Sequence, residues 1–162
     1  VEELLREVAR MEAGEKRFSE AAPPDDYERE LRLAGLAQRV SQAYTIIEGV
    51  LAFVARRIDR APLAGEDWHQ QLIARCASSY DKGNRPRLLS DALASDLLEL
   101  CAFRHVVRNI YPTRLDGSRV QRNLALLIRA AREFGDACRT FAATLPPAGN
   151  RPRRSRTRRS GA

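Results

Sequence analysis

The sequence predicts an all-α fold, an antiparallel helical bundle of about five helices, and three observations carry that expectation. Ala, Leu, Arg and Glu dominate while aromatic residues make up only 6%, a palette that favours helices and makes poor sheets. Apolar residues recur at intervals of three and four along most of the chain. The periodic runs are separated by short segments rich in Pro, Gly and Asp, residues that end a helix or cap the next one. With 162 residues the chain has the length of one ordinary domain and can bury most of the surface its unfolded form exposes.

The elements follow in order. Leu4, Leu5, Val8 and Met11 stand at helical spacing among charges, and the segment from Ala21 to Asp26 stops this first, short helix and caps the second. From Tyr27 the positions Leu31, Ala34, Ala37, Val40, Tyr44, Ile47, Leu51, Val54 and Ile58 form one apolar stripe, the mark of a long scaffold helix. The segment Ala61-Pro62-Leu63-Ala64-Gly65 breaks it. Asp67 then stands at an N-cap position ahead of Trp68, Leu72, Ile73 and Cys76, a third helix of about three turns. After the loop from Asp81 to Pro86, a fourth helix begins near Ser90, whose hydroxyl can cap it. It runs through Leu93, Leu97, Leu100, Cys101, Phe103 and Val107 to Tyr111, where Pro112 ends it. A fifth carries Val120, Leu124, Leu127, Ala131, Phe134, Cys138 and Phe141 and stops at Pro146-Pro147. The expected organisation is a helical domain over 1–147, with the fourth helix at about 90–111, and a basic disordered tail over 148–162.

The net charge of +7 is concentrated in that tail, where six arginines fall between Arg151 and Arg159; without them the formal charge is +1. Two readings of the tail stay open, a tethering arm for RNA or DNA and an extension with no function. Cys76, Cys101 and Cys138 are too widely spaced for a zinc motif and odd in number, so they read as reduced thiols on apolar helix faces. The sequence has no run of about 18 apolar residues and no charged-then-apolar leader. The expected location is the cytoplasm, with no membrane partner. There is no Gly-rich phosphate loop, no internal repeat and no pair of carboxylates placed for acid–base work, which leaves most enzyme classes unsupported.

Chemistry is concentrated in Phe103-Arg104-His105-Val106-Val107-Arg108-Asn109-Ile110-Tyr111-Pro112. At 100° per residue Arg104, Arg108 and Tyr111 share one stripe of the fourth helix, continuing Leu97, Leu98 and Cys101, and His105 and Asn109 form the stripe beside it. Two guanidiniums beside an imidazole suit a phosphodiester, because the arginine fork pairs with phosphate oxygens and keeps its charge at any physiological pH. A neutral imidazole can take the proton of an RNA 2′-hydroxyl as that oxygen attacks phosphorus, while arginine stabilises the developing charge, with no metal or other cofactor required. The competing reading is structural: the same face binds the free carbonyls of its own helix end and complements the helix dipole.

The segment from Arg104 to Tyr111 resembles the arginine, polar residue, spacer, histidine, any residue, tyrosine motif of HEPN domains, and specifically of HepT-like toxins. The resemblance extends through Tyr44-Thr45-Ile46-Ile47-Glu48, Gly65-Glu66-Asp67-Trp68-His69 and Tyr111 to Leu115-Asp116, and covers roughly residues 27 to 140. It implies an all-α homodimer whose motif helices face each other across a cleft that is a metal-independent ribonuclease site in active members. It also implies a toxin–antitoxin pair, in which a minimal nucleotidyltransferase antitoxin binds the toxin and attaches AMP to the motif tyrosine. By this resemblance Arg104 is the motif arginine, His105 the polar residue after it and Tyr111 the modified tyrosine. Arg104, His105 and Asn109 would then form the catalytic set, with Arg104 and Arg108 binding RNA phosphate.

One correspondence departs from the pattern. The motif histidine position holds Asn109, whose carboxamide cannot exchange a proton near neutral pH although it can hydrogen-bond a phosphate or ribose. Three accounts stay open: His105, one turn earlier, has taken the proton-transfer role; the domain is a non-catalytic RNA-binding or antitoxin-binding adaptor; or Asn109 replaces a histidine deliberately because the active toxin could not be produced. Elsewhere, Trp68 is expected as a core anchor and His69 as a solvated or capping residue outside the active site. Tyr44 is expected to be packed with its hydroxyl bonded at the core edge, and Tyr27 and Tyr80 to lie at the surface or at boundaries. For Tyr111 two readings compete, an exposed hydroxyl within reach of a nucleotidyltransferase and a ring folded onto Arg108 or the fifth helix.

Overall fold

The computed structural model describes residues 1–20, 25–65, 67–81, 84–109 and 115–145, with the side chains of 17–20 left aside. Five α-helices account for most of it: α1 (Glu2–Glu20), α2 (Asp26–Phe53), α3 (Trp68–Ala77), α4 (Asp91–Asn109) and α5 (Gly117–Thr144). The all-α expectation holds. Among the described residues no β-strand forms, and Tyr80 and Arg85 make a single isolated bridge. Tyr111, Pro112 and the arginine tail lie outside the described residues.

The helix ends follow local chemistry. Asp25 accepts a hydrogen bond from the Glu28 amide at 2.7 Å, Ser90 Oγ from the Leu93 amide at 3.0 Å and Asp116 from the Ser118 amide at 2.9 Å, each satisfying a donor that the first turn leaves free. Asp67 is the exception. It precedes α3, but its side chain makes no capping bond. α1 is also longer than expected, at 19 residues, because Leu4, Val8 and Met11 are all buried and anchor its inner face. At the far end of α2 the coil widens: the Asp59 amide reaches back five residues to Val54 O at 2.9 Å, a π-helical turn over Val54–Ile58.

α2, α4 and α5 pack pairwise on one another, α1 closes over α2 and α5, and α3 lies against α4 and α2. α4 and α5 are antiparallel, since Ser90 meets Glu133 while Asp96 meets Arg129 further along. Val120, Leu124, Leu127, Ala131 and Phe134 of α5 and Leu93, Leu97, Leu100 and Phe103 of α4 are buried as their spacing predicts. Each such large side chain contributes about 1.5–3 kcal/mol relative to exposure. Two stripe positions depart from the pattern: Leu31 is 60% and Leu98 42% exposed. Periodicity fixes which way a residue faces, not whether a neighbouring helix reaches that far.

The connection from α3 to α4 is pinned by a buried ion pair. Arg85 is 4% exposed, and its guanidinium clasps the Asp59 carboxylate in two directions, Nε to Oδ1 at 2.8 Å and Nη2 to Oδ2 at 3.2 Å. It also donates to the carbonyls of Arg75, Ser78 and Pro86, each at 3.0 Å. The guanidiniums of Arg75 and Arg85 lie over the ring of half-buried Tyr80, 5.4 and 5.6 Å from its centre.

Candidate functional site

The last turns of α4 carry side chains outward in sequence. Phe103 is buried in the core, Arg104 is half-buried, and His105, Arg108 and Asn109 are exposed. Burying Phe103 fixes the rotation of the helix, and the three exposed side chains then share one end of its outer surface. The side chains of His105 and Arg108 make no hydrogen bond or ion pair among the described residues, so an imidazole and a guanidinium are free to meet a ligand there.

Arg104 behaves differently. Its side chain is only 15% exposed and lies 3.8 Å from Glu48 Oε2, and its Nε donates to Thr45 Oγ1 at 3.3 Å. The Thr45 hydroxyl gives its own proton to Ser41 O at 3.1 Å, leaving a lone pair for the arginine. Arg104 and Arg108, expected on one stripe, therefore sit in different surroundings. The two lie about 40° apart around the helix, and on the Arg104 side a buried carboxylate of α2 draws the guanidinium onto its own chain.

Glu48 is the hub of the arrangement. It is 6% exposed and stands on the apolar stripe of α2 between Tyr44 and Leu51. A carboxylate removed from water in this way needs charged or donating partners. It has two: Oε2 faces Arg104 of α4, and Oε1 is hydrogen-bonded to Nδ1 of His69 on α3. The Trp68 ring lies against the imidazole, with centroids 3.8 Å apart and planes tilted by 33°. Tyr44, one turn before Glu48, is 1% exposed; burial pushes its phenol well above the usual range, and a hydrogen bond to Cys101 adds to this. Its packed placement is as expected. Trp68 packs against the edge of the core. The reading of His69 as solvated or capping is not what is found.

Asn109 donates from its amide nitrogen to His105 O at 2.8 Å, so it serves its own helix end, as the structural reading of this face anticipated for the segment as a whole. Glu48 and His69 are the residues that sequence reasoning missed as a pair. One signal was present: an acidic residue on an otherwise apolar stripe requires a cationic or donating partner from a neighbouring helix. Among the described residues no group of three or more His, Cys, Asp or Glu side chains is placed to hold a metal ion.

An all-α bundle whose fourth helix ends in Arg104, His105, Arg108 and Asn109 agrees with the HEPN resemblance of the sequence. The chain belongs to the family of HepT-like proteins, whose family model matches residues 35–145. No curated protein and no solved structure matches it.

Proposed function

We propose that this protein is the toxin of a HEPN/nucleotidyltransferase pair, acting in the cytoplasm as a homodimer that cleaves RNA without a metal ion. The observation that carries the reading is the end of α4, where the exposed side chains of His105 and Arg108, unpartnered among the described residues, flank the inward Arg104 in a chain of the HepT-like family. In the reaction the ribose 2′-oxygen attacks the adjacent phosphorus and the P–O5′ bond breaks, giving a 2′,3′-cyclic phosphate and a 5′-hydroxyl. Arg108 binds the phosphate, Arg104 at the base of the face adds positive charge, and His105 transfers a proton. Two copies related by a two-fold axis double the cationic groups in one cleft. Exposed Phe53 on α2 and Leu98 on α4 supply apolar area for such pairing. Tyr111 is the acceptor for AMP from the antitoxin.

A second reading, a non-catalytic HEPN adaptor that binds RNA or the nucleotidyltransferase, is favoured by Asn109, which bonds its own helix and cannot move a proton. Purified protein incubated with a labelled structured RNA and a chelator decides between them, beside His105→Ala and Asn109→His. Cleavage by the parent that His105→Ala abolishes supports the toxin reading. A silent parent activated by Asn109→His identifies a ribonuclease inactivated at that position, and silence in all three leaves the adaptor. After co-expression with a minimal nucleotidyltransferase, mass spectrometry should find an added AMP that Tyr111→Phe removes.

A further inference from the structure

The motif position that should hold a histidine holds Asn109, yet a second imidazole, from another helix, shares a buried carboxylate with the motif arginine. We infer that His69 is a proton-transfer residue of this site, oriented by Glu48, and that it takes the 2′-hydroxyl proton while His105 serves the leaving oxygen. The inference rests on the ribonuclease reading above.

Three observations support it. Glu48 joins the two groups directly, with Arg104 on one carboxylate oxygen and His69 on the other. The imidazole and the guanidinium are thus held one carboxylate apart, although they come from α3 and α4. The contact also bears on the tautomer: with Glu48 accepting from Nδ1–H, a neutral His69 ring carries its lone pair on Nε2, as in carboxylate-oriented imidazoles that act as bases.

Nε2 itself is open. The His69 side chain is 25% exposed, and Nε2 has no hydrogen-bond partner among the described residues. Nor is it sealed in, since Asn123 Oδ1 is the buried side-chain polar atom found without a partner there. A purely structural junction of α2, α3 and α4 would be closed as well by an apolar residue at position 48, without the cost of desolvating a carboxylate.

The step balances with two imidazoles. As the 2′-oxygen bonds to phosphorus its proton passes to His69 Nε2; as the P–O5′ bond breaks the 5′-oxygen takes the proton from His105. Water returns the two rings to their starting states. Glu48 is a positioning residue, and Arg104 stabilises the phosphoryl charge.

The test uses full-length protein and two substrates, an ordinary RNA and one with sulfur in place of the scissile 5′-oxygen, whose thiolate leaves without an acid. His69→Gln, which retains a donor for Glu48, is expected to slow cleavage of both substrates by about 10²–10⁴-fold and to leave the melting temperature within a few degrees. His105→Ala is expected to slow the ordinary RNA alone. Glu48→Gln should lower kcat with little change in KM. If the parent does not cleave RNA, the ribonuclease reading falls and this assignment with it. If the parent cleaves and His69→Gln is within threefold of it, or is rescued by the sulfur substrate, the assignment of His69 falls while the ribonuclease reading stands. Should His69→Gln not fold, the intact protein answers: it has two histidines, so His105→Ala assigns the imidazole ¹⁵N signals. A 2′-O-methyl oligonucleotide should then shift His69 Nε2, and an unmoved signal overturns the inference.

Discussion

Replacing Arg85 by methionine tests how the connection between α3 and α4 is held. The native guanidinium directs two bonds to Asp59, at 2.8 and 3.2 Å, and three to main-chain carbonyls, each at 3.0 Å. It does so with its side chain 5% exposed and that of Asp59 at 0%. Methionine fills a similar volume, so the loss is electrostatic: a fully buried carboxylate and three carbonyls are left short of donors. Removing one partner of a buried pair typically costs about 3–5 kcal/mol. For a chain of this size, at roughly 2–4 °C per kcal/mol, the melting temperature should fall by roughly 10 °C. Urea denaturation followed by circular dichroism gives the free energy, and Asp59→Leu combined with Arg85→Met closes the cycle. The double variant should be more stable than Arg85→Met alone, because the stranded carboxylate is gone. A single variant within about 1 kcal/mol of the parent, or a double variant at the sum of the two losses, would refute the account of the pair as mutually required.

Two further outcomes follow from titrating groups. The Ser118 hydroxyl and amide hold the Asp116 carboxyl below its usual value of 3.8, so its contribution is present above that pH and is lost as pH falls through the lower, folded value. The stability difference between the parent and Asp116→Asn should therefore shrink in acid titrations below about pH 4, and a difference that stays constant down to pH 2 would contradict the cap. Burial pushes the Cys76 thiol up to about 12 and the Cys138 thiol to about 11. At pH 8 both should react with a disulfide reagent far more slowly in the native protein than in urea, and equal rates in the two states would show that these thiols are not held in the core.

The outline of the bundle was legible because a helix announces itself locally. Spacing of Leu93, Leu97 and Leu100, or of Val120, Leu124 and Leu127, depends only on 3.6 residues per turn, and the caps at Asp25, Ser90 and Asp116 are bonds within three residues. The exposed end of α4 was legible for the same reason, since Phe103 buried inward dictates that His105 and Asn109 face out. Asp67 shows the limit even of local rules: it has the right type and position for a cap, and its side chain is not used as one.

What the sequence determined by itself is the set of helices, most of their capped starts and inward faces, and the residues that carry the family resemblance. What only the tertiary structure decided is which charges meet. Arg104 and Glu48 lie 56 positions apart in the chain and Glu48 and His69 lie 21 apart, so no periodicity within one helix relates them. Their meeting depends on how α2, α3 and α4 pack, and it makes Arg104 the partner of a buried carboxylate. The physical reason is range: helical geometry is set by hydrogen bonds four residues long, whereas the pairing of buried charges is set by the assembly of the whole core.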